Sequence, residues 1–223
     1  MSEAVILFIH YPEPGSVIPG LERELGADLA LELEVCIIRD LLDAAHNAGA
    51  VPVVVGTGSR GAGPPGIFGD ALRLVQHGRD TGARRYNAFA DVLGRGVTRA
   101  VMVCGGVPGV SADLLRSAFA ELDDHDAVLG PDKDGACYLI GLKNKALSRE
   151  LFYDLPWGTS REFMKTMGRI ESVPLGISVL PQREKVRDRE GLVRFIRDGA
   201  LQGSSTHVTG WVERHRVEVY GKA

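Results

Sequence analysis

Two short stretches of this sequence carry charged residues where a ligand could bind. The first is Gly130-Pro131-Asp132-Lys133-Asp134-Gly135, a turn between two apolar runs. In open α/β sheets ligands bind beyond the carboxyl ends of the strands, so a carboxylate in such a turn, Asp134, is a candidate catalytic residue. The second is Lys185-Val186-Arg187. Residues two apart point the same way in an extended segment, so both cations can converge on one phosphate, sulfate or carboxylate. The plainer reading is a solvated basic stretch, because Arg183, Arg189 and Arg194 are close in sequence.

Other chemistries find less support. Gly56-Thr57-Gly58-Ser59-Arg60-Gly61-Ala62-Gly63 is glycine-rich. It lacks both the Gly-Lys-Ser/Thr ending of a phosphate-binding loop and the spacing of a dinucleotide fingerprint, and is expected to be a surface loop. The six histidines show no metal-ligand spacing, and no Gly-x-Ser-x-Gly elbow supports a hydrolase triad. Cys36, Cys104 and Cys137 are widely spaced in apolar surroundings, as buried reduced thiols would be.

The elements that must position these groups alternate between strand and helix. Ala4–Ile9, Val51–Val55 and Arg99–Cys104 are continuously apolar, the pattern of strands buried on both faces. Leu72–Gln76, Ala127–Leu129 and Cys137–Leu142 are further strand candidates. Leu29, Leu33, Ile37 and Leu41 give one apolar face to a helical stretch from about Leu21 to Asn47, divided near Gly26 and stopped by Gly49. Ser111 is expected to cap a helix carrying Leu114, Leu115 and Leu122. Tyr11–Gly20, rich in proline and glycine, is expected to lack regular structure. This alternation predicts a three-layer α/β fold with a mostly parallel sheet. One domain is expected over 1–200, with 201–223 a C-terminal tail or an edge strand, since Arg216–Tyr220 alternates in polarity.

A net charge of −3 gives no basic excess for nucleic acid. No run reaches the roughly 20 apolar residues that span a bilayer, and the opening lacks a basic leader with a cleavage site, so a cytoplasmic location is expected.

Three loops carry a resemblance: Phe8-Ile9-His10-Tyr11-Pro12-Glu13-Pro14-Gly15, then Gly130 to Leu142, then Leu155-Pro156-Trp157-Gly158-Thr159. Together they resemble a bacterial family of GT-A-like proteins classed with nucleotide-diphospho-sugar transferases and glycosyltransferases, of unknown function and of the radical-SAM-associated type. The resemblance runs from Val5 to about Leu192. It implies the GT-A type of sheet and a nucleotide or other phosphorylated small molecule as ligand. It also implies ligand contacts from His10, Tyr11, Pro14, Gly15, Gly82, Arg84, Gly135, Trp157, Lys185 and Arg187.

The chain departs from the family pattern where charge matters most. Ser16 to Leu21 replace a cationic Lys-Thr-Arg stretch, Gly106 replaces the metal-binding aspartate, and Gly109 replaces a second acid. Lys185-Val186-Arg187 stands where the family has Asp-Val-Asp. No cofactor is expected, and the family-type divalent metal is not expected to bind. Two readings remain open. In one, the chain is a non-catalytic or metal-independent homologue, which includes service through a protein partner. In the other, an active transferase uses Lys185 and Arg187 in place of the metal. The sequence does not indicate an oligomeric state.

Overall fold

The computed structural model describes residues 2–13, 17–58, 66–105, 107–197 and 206–221. Its centre is a seven-stranded sheet in the order β3-β2-β1-β4-β6-β5-β7. The strands are β1 (Glu3–His10), β2 (Val51–Thr57), β3 (Leu72–Val75), β4 (Arg99–Cys104), β5 (Ala127–Pro131), β6 (Cys137–Lys143) and β7 (Ile177–Val179). All pairs are parallel except those made by β6, which runs against both β4 and β5. β1 is central, with Leu7 in register with Val54 on one side and Val103 on the other.

The unbroken apolar strands have a physical cause: helices cover both faces. Val5, Leu7 and Ile9 face a core shared with α2 (Ala27–Asn47) and α4 (Ala112–Asp124). Ala4 and Ile6 face the opposite core, shared with α3 (Thr81–Leu93) and α5 (Glu162–Glu171). Both sets are removed from water, so no polar alternation remains in the sequence. Ser111 caps α4 as expected, its hydroxyl accepting the Leu114 N–H at 3.1 Å. The three cysteines are free and buried.

Two expectations are corrected. The segment up to Gly20 is not wholly irregular, because α1 (Pro19–Leu25) begins at Pro19, where the ring's fixed φ suits a first helical turn and the missing N–H costs nothing. Arg216–Tyr220 is not an edge strand but the helix α8, which follows α7 (Thr206–Arg214). Five residues are too few to separate a period of two from a helical period. Only Val219 is buried, while Val217 faces water. These helices dock on α2 through a third core containing Leu33, Trp211 and Val219, joined by Leu192 and Phe195 of α6 (Arg189–Arg197). The sheet edges are instead β3 and β7. No helix is long and apolar enough to cross a membrane among the described residues.

Candidate functional site

β1, β4 and β5 are co-directional, so their carboxyl ends share one edge of the sheet, and the chain leaving β7 passes along that edge. The turn after β5 is organised by Asp132, which is buried. Its Oδ1 accepts the N–H groups of Asp134 (3.0 Å) and Ala136 (2.7 Å). Gly135 holds φ at +85°, and a Cβ there would collide with the Ser160 carbonyl, so only glycine fits this tight turn.

Lys185 and Arg187 do converge, and they converge on this turn. Lys185 Nζ lies 3.3 Å from Asp132 Oδ2 and donates to the Cys137 carbonyl at 3.1 Å. Arg187 Nη2 lies 3.6 Å from the same oxygen, while its Nε donates to Asp134 Oδ2 at 2.6 Å. The Lys185 side chain is only 15% exposed, whereas Arg187 and Asp134 are 53% and 58% exposed. The anions that meet these two cations are therefore the protein's own carboxylates.

The neighbouring cation is arranged differently. Arg183 donates from Nη1 to the Gly109 carbonyl at 3.0 Å, and no ion pair of its guanidinium is found among the described residues. It lines a cleft of about 210 Å³ with Pro108, Lys133, Gln182 and Glu184, and there Glu184 pairs with Lys133 at 2.9 Å.

The other expected site residues fall into two groups. His10 and Tyr11 lie at the end of β1: His10 is exposed, and the Tyr11 ring is buried edge-on against Phe68. Gly82 and Trp157 pack around Phe152, whose carbonyl accepts the Trp157 indole N–H at 2.9 Å and leaves no room for a side chain at 82. Arg84 is half-buried and donates to the Gly78 carbonyl at 3.3 Å. Pro14, Gly15 and Gly106 lie outside the described residues. Residue 106 being glycine, it offers no side-chain ligand atom.

Residues 40–159 match the family described as "Uncharacterized protein conserved in bacteria (DUF2064)". The chain belongs to this family. Comparison with curated proteins finds no match. Among solved structures, this DUF2064 chain is similar to a candidate nucleotide-diphospho-sugar transferase from Desulfovibrio desulfuricans G20. The TM-score is 0.87 at 24% identity, covering 98% of this chain and 97% of that one. It is also similar to CMP:2-keto-3-deoxy-manno-octonic acid synthetase complexed with CTP, with a TM-score of 0.55 at 11% identity, covering 91% of this chain and 100% of the other. A Mycobacterium tuberculosis H37Rv protein, Rv0371C, in complex with manganese gives a TM-score of 0.55 at 14% identity, covering 88% and 99%. These likenesses place the fold among the nucleotide-diphospho-sugar transferases.

Several polar residues of this DUF2064 chain escaped the sequence reading. Asp132 looked like one more charge in a turn, although an Asp two residues before a glycine-containing bend is a common N–H acceptor. Arg85, adjacent to the expected Arg84, is the buried one. It pairs with Glu162 at 2.8 Å and lies 4.2 Å from the centre of the Trp157 ring. Glu162 also accepts the N–H groups of Cys137 (3.2 Å) and Gly158 (2.6 Å), which ties α5 to the start of β6 behind the Asp132 turn. Glu34, on α2, is buried beside Gly105 at the end of β4, and burial pushes its carboxyl up to about 7. A single Glu on an apolar helix face carried no signal beyond its interruption of the periodicity.

Proposed function

We propose that this protein binds a nucleotide or a related phosphorylated small molecule at the carboxyl edge of the sheet, without a divalent metal, and does not perform metal-dependent transfer. The observation that carries this reading is the distribution of charge at that edge. A metal-dependent transferase presents hard oxygen ligands to the ion, and the ion neutralises the phosphates. Here residue 106 has no side chain, and Asp132 and Asp134 face Lys185 and Arg187. These residues do not fit a divalent ion. The grouping Asp40, Asp43 and His207 lies where α2 meets α7. Asp40 there accepts the N–H groups of His207 and Val208 at the start of α7, a capping role.

Within the cleft beside Pro108, Lys133 is paired with Glu184, whereas Arg183, which bonds the Gly109 carbonyl and the Tyr138 side chain, has no ion pair among the described residues and is the cation offered to a ligand. Its cleft of about 210 Å³ falls below the ~300–1,000 Å³ that buries a whole ligand, so it takes one phosphate end. Arg187 is the second contact: half-exposed, it can leave Asp134 for a phosphate at small cost, because exposed ion pairs are worth roughly 0–1 kcal/mol. Lys185 stays with Asp132. Support for a nucleotide as ligand comes from the shared fold of the synthetase that holds CTP.

Thermal unfolding with CTP and inorganic pyrophosphate in a chelating buffer tests this reading. A ligand at 100 times its dissociation constant adds about 2.7 kcal/mol. Native protein should melt higher, and Arg183→Ala should lower the affinity at least tenfold, which cuts the added stability to about half or less at the same ligand concentration. Flat melting across nucleotides and pyrophosphate would contradict it and leave service through protein contacts.

A further inference from the structure

Glu34 carries a buried oxygen with no hydrogen-bond partner among the described residues. It sits two turns into α2, 8% exposed, among residues that build the main core. Its Oε2 is buried, and no hydrogen-bond partner for it is found among the described residues. Buried polar atoms are nearly always satisfied, because an unsatisfied one costs roughly 1–3 kcal/mol. A carboxyl kept at such cost calls for an explanation outside packing. Its direction supplies one. The other oxygen, Oε1, lies 3.7 Å from where a side chain would begin at Gly105. Gly105 is exposed at the carboxyl end of β4, its N–H held by the Phe8 carbonyl of β1 at 3.2 Å. With no side chain at 105, the Ile9 side chain and the Glu34 carboxyl are the side-chain groups nearest to that exposed position at the carboxyl end of β4.

We propose that Glu34 is a ligand-contacting acid of this site, presenting the proton of its carboxyl to an acceptor oxygen of the anion that enters beside Gly105. The inference rests on the reading that this edge binds a phosphorylated ligand. A neutral acid is the form that can approach an anion; a carboxylate would repel it. Apolar burial favours the neutral form of such an acid, and neutral acids in dry sites serve as hydrogen-bond donors. Charged groups on the neighbouring elements, Arg23 on α1, Asp113 and Arg116 on α4, Arg214 on α7 and His10 on β1, form no ion pair or hydrogen bond with Glu34. Burial is the one cause that raises its titration. The anion would cover the remaining opening, hold the proton more tightly, and so be taken up together with a fraction of a proton near neutral pH.

The experiment is calorimetric titration of CTP at pH 7.5 in two buffers of different ionisation enthalpy, with native protein, Glu34→Gln and Glu34→Leu. Both variants should fold, because each removes a buried ionisable group. Native protein should take up protons on binding. Glu34→Gln keeps a donor, so its affinity should stay within about threefold while uptake disappears. Glu34→Leu should lose at least tenfold in affinity. Native affinity and uptake in Glu34→Leu would overturn the role of Glu34 and leave nucleotide binding standing. Uptake persisting in Glu34→Gln would assign the proton to another group and also overturn it. No binding of CTP by native protein would overturn the nucleotide reading and this inference with it.

Discussion

Two ion-pair clusters lie back to back at the start of β6, and they differ in access to water. Behind the Asp132 turn, Arg85 and Glu162 are almost fully buried, stacked under Trp157 and bonded to two backbone N–H groups. In front of it, Arg187 and Asp134 are more than half exposed. The chemistry is the same, a guanidinium on a carboxylate, but the energetics are not. A buried pair cannot open without stranding a charge, so it fixes structure. An exposed pair opens at little cost, so it can exchange its internal anion for an external one. Position relative to solvent, more than residue type, separates the pair that fixes structure from the pair that can open.

The sharpest break in this comparison is Glu162→Ala. It strands the Arg85 charge and should cost about 3–5 kcal/mol, read as a large fall in the denaturant midpoint. If Arg85→Met with Glu162→Leu recovers most of that loss, the pair specifies geometry more than it adds stability.

Glu34 gives the next largest effect, and its sign is fixed. The folded carboxyl titrates near 7 against an ordinary value of 4.5. The folded state therefore binds more protons than the unfolded state between those values, and stability falls as pH rises through that window. Its full extent is about 3 kcal/mol, from roughly 1.36 kcal/mol per unit. Denaturant unfolding from pH 4.5 to 8.5 should show this decline in native protein, and Glu34→Gln should flatten it. A native profile already flat would show that Glu34 finds a partner.

Arg187→Ala should change stability least, by under about 1 kcal/mol, while weakening pyrophosphate binding severalfold. Asp134→Asn should do the reverse to the ligand, strengthening binding because Arg187 is no longer held. Equal binding in both variants would make the exposed pair a surface ornament and erase its contrast with the buried one.

Much of the fold was legible because burial on both faces leaves a plain mark, unbroken apolar strands such as Arg99–Cys104. Strand order and the docked C-terminal helices were not, since Arg216–Tyr220 is too short to reveal its period. At the site, the convergence of Lys185 and Arg187 followed from their spacing. Their target did not, because Asp132 gains its role from a turn that sequence spacing alone does not fold. Arg85 and Arg84 are neighbours of the same type, and only the helix phase decides which one is buried. Glu34 was invisible for a related reason: a lone carboxyl on an apolar face gains meaning only when Gly105 is seen beside it.

The proposed function requires this edge to bind a phosphorylated ligand through its own cations and not through a metal. Titration of CTP into native protein, once in a chelating buffer and once with excess manganese, tests it most directly. Equal dissociation constants in the two conditions, with affinity at least tenfold weaker in Arg183→Ala, are predicted. Binding that appears only with manganese, and survives Arg183→Ala, would show that a metal and not Arg183 holds the phosphates.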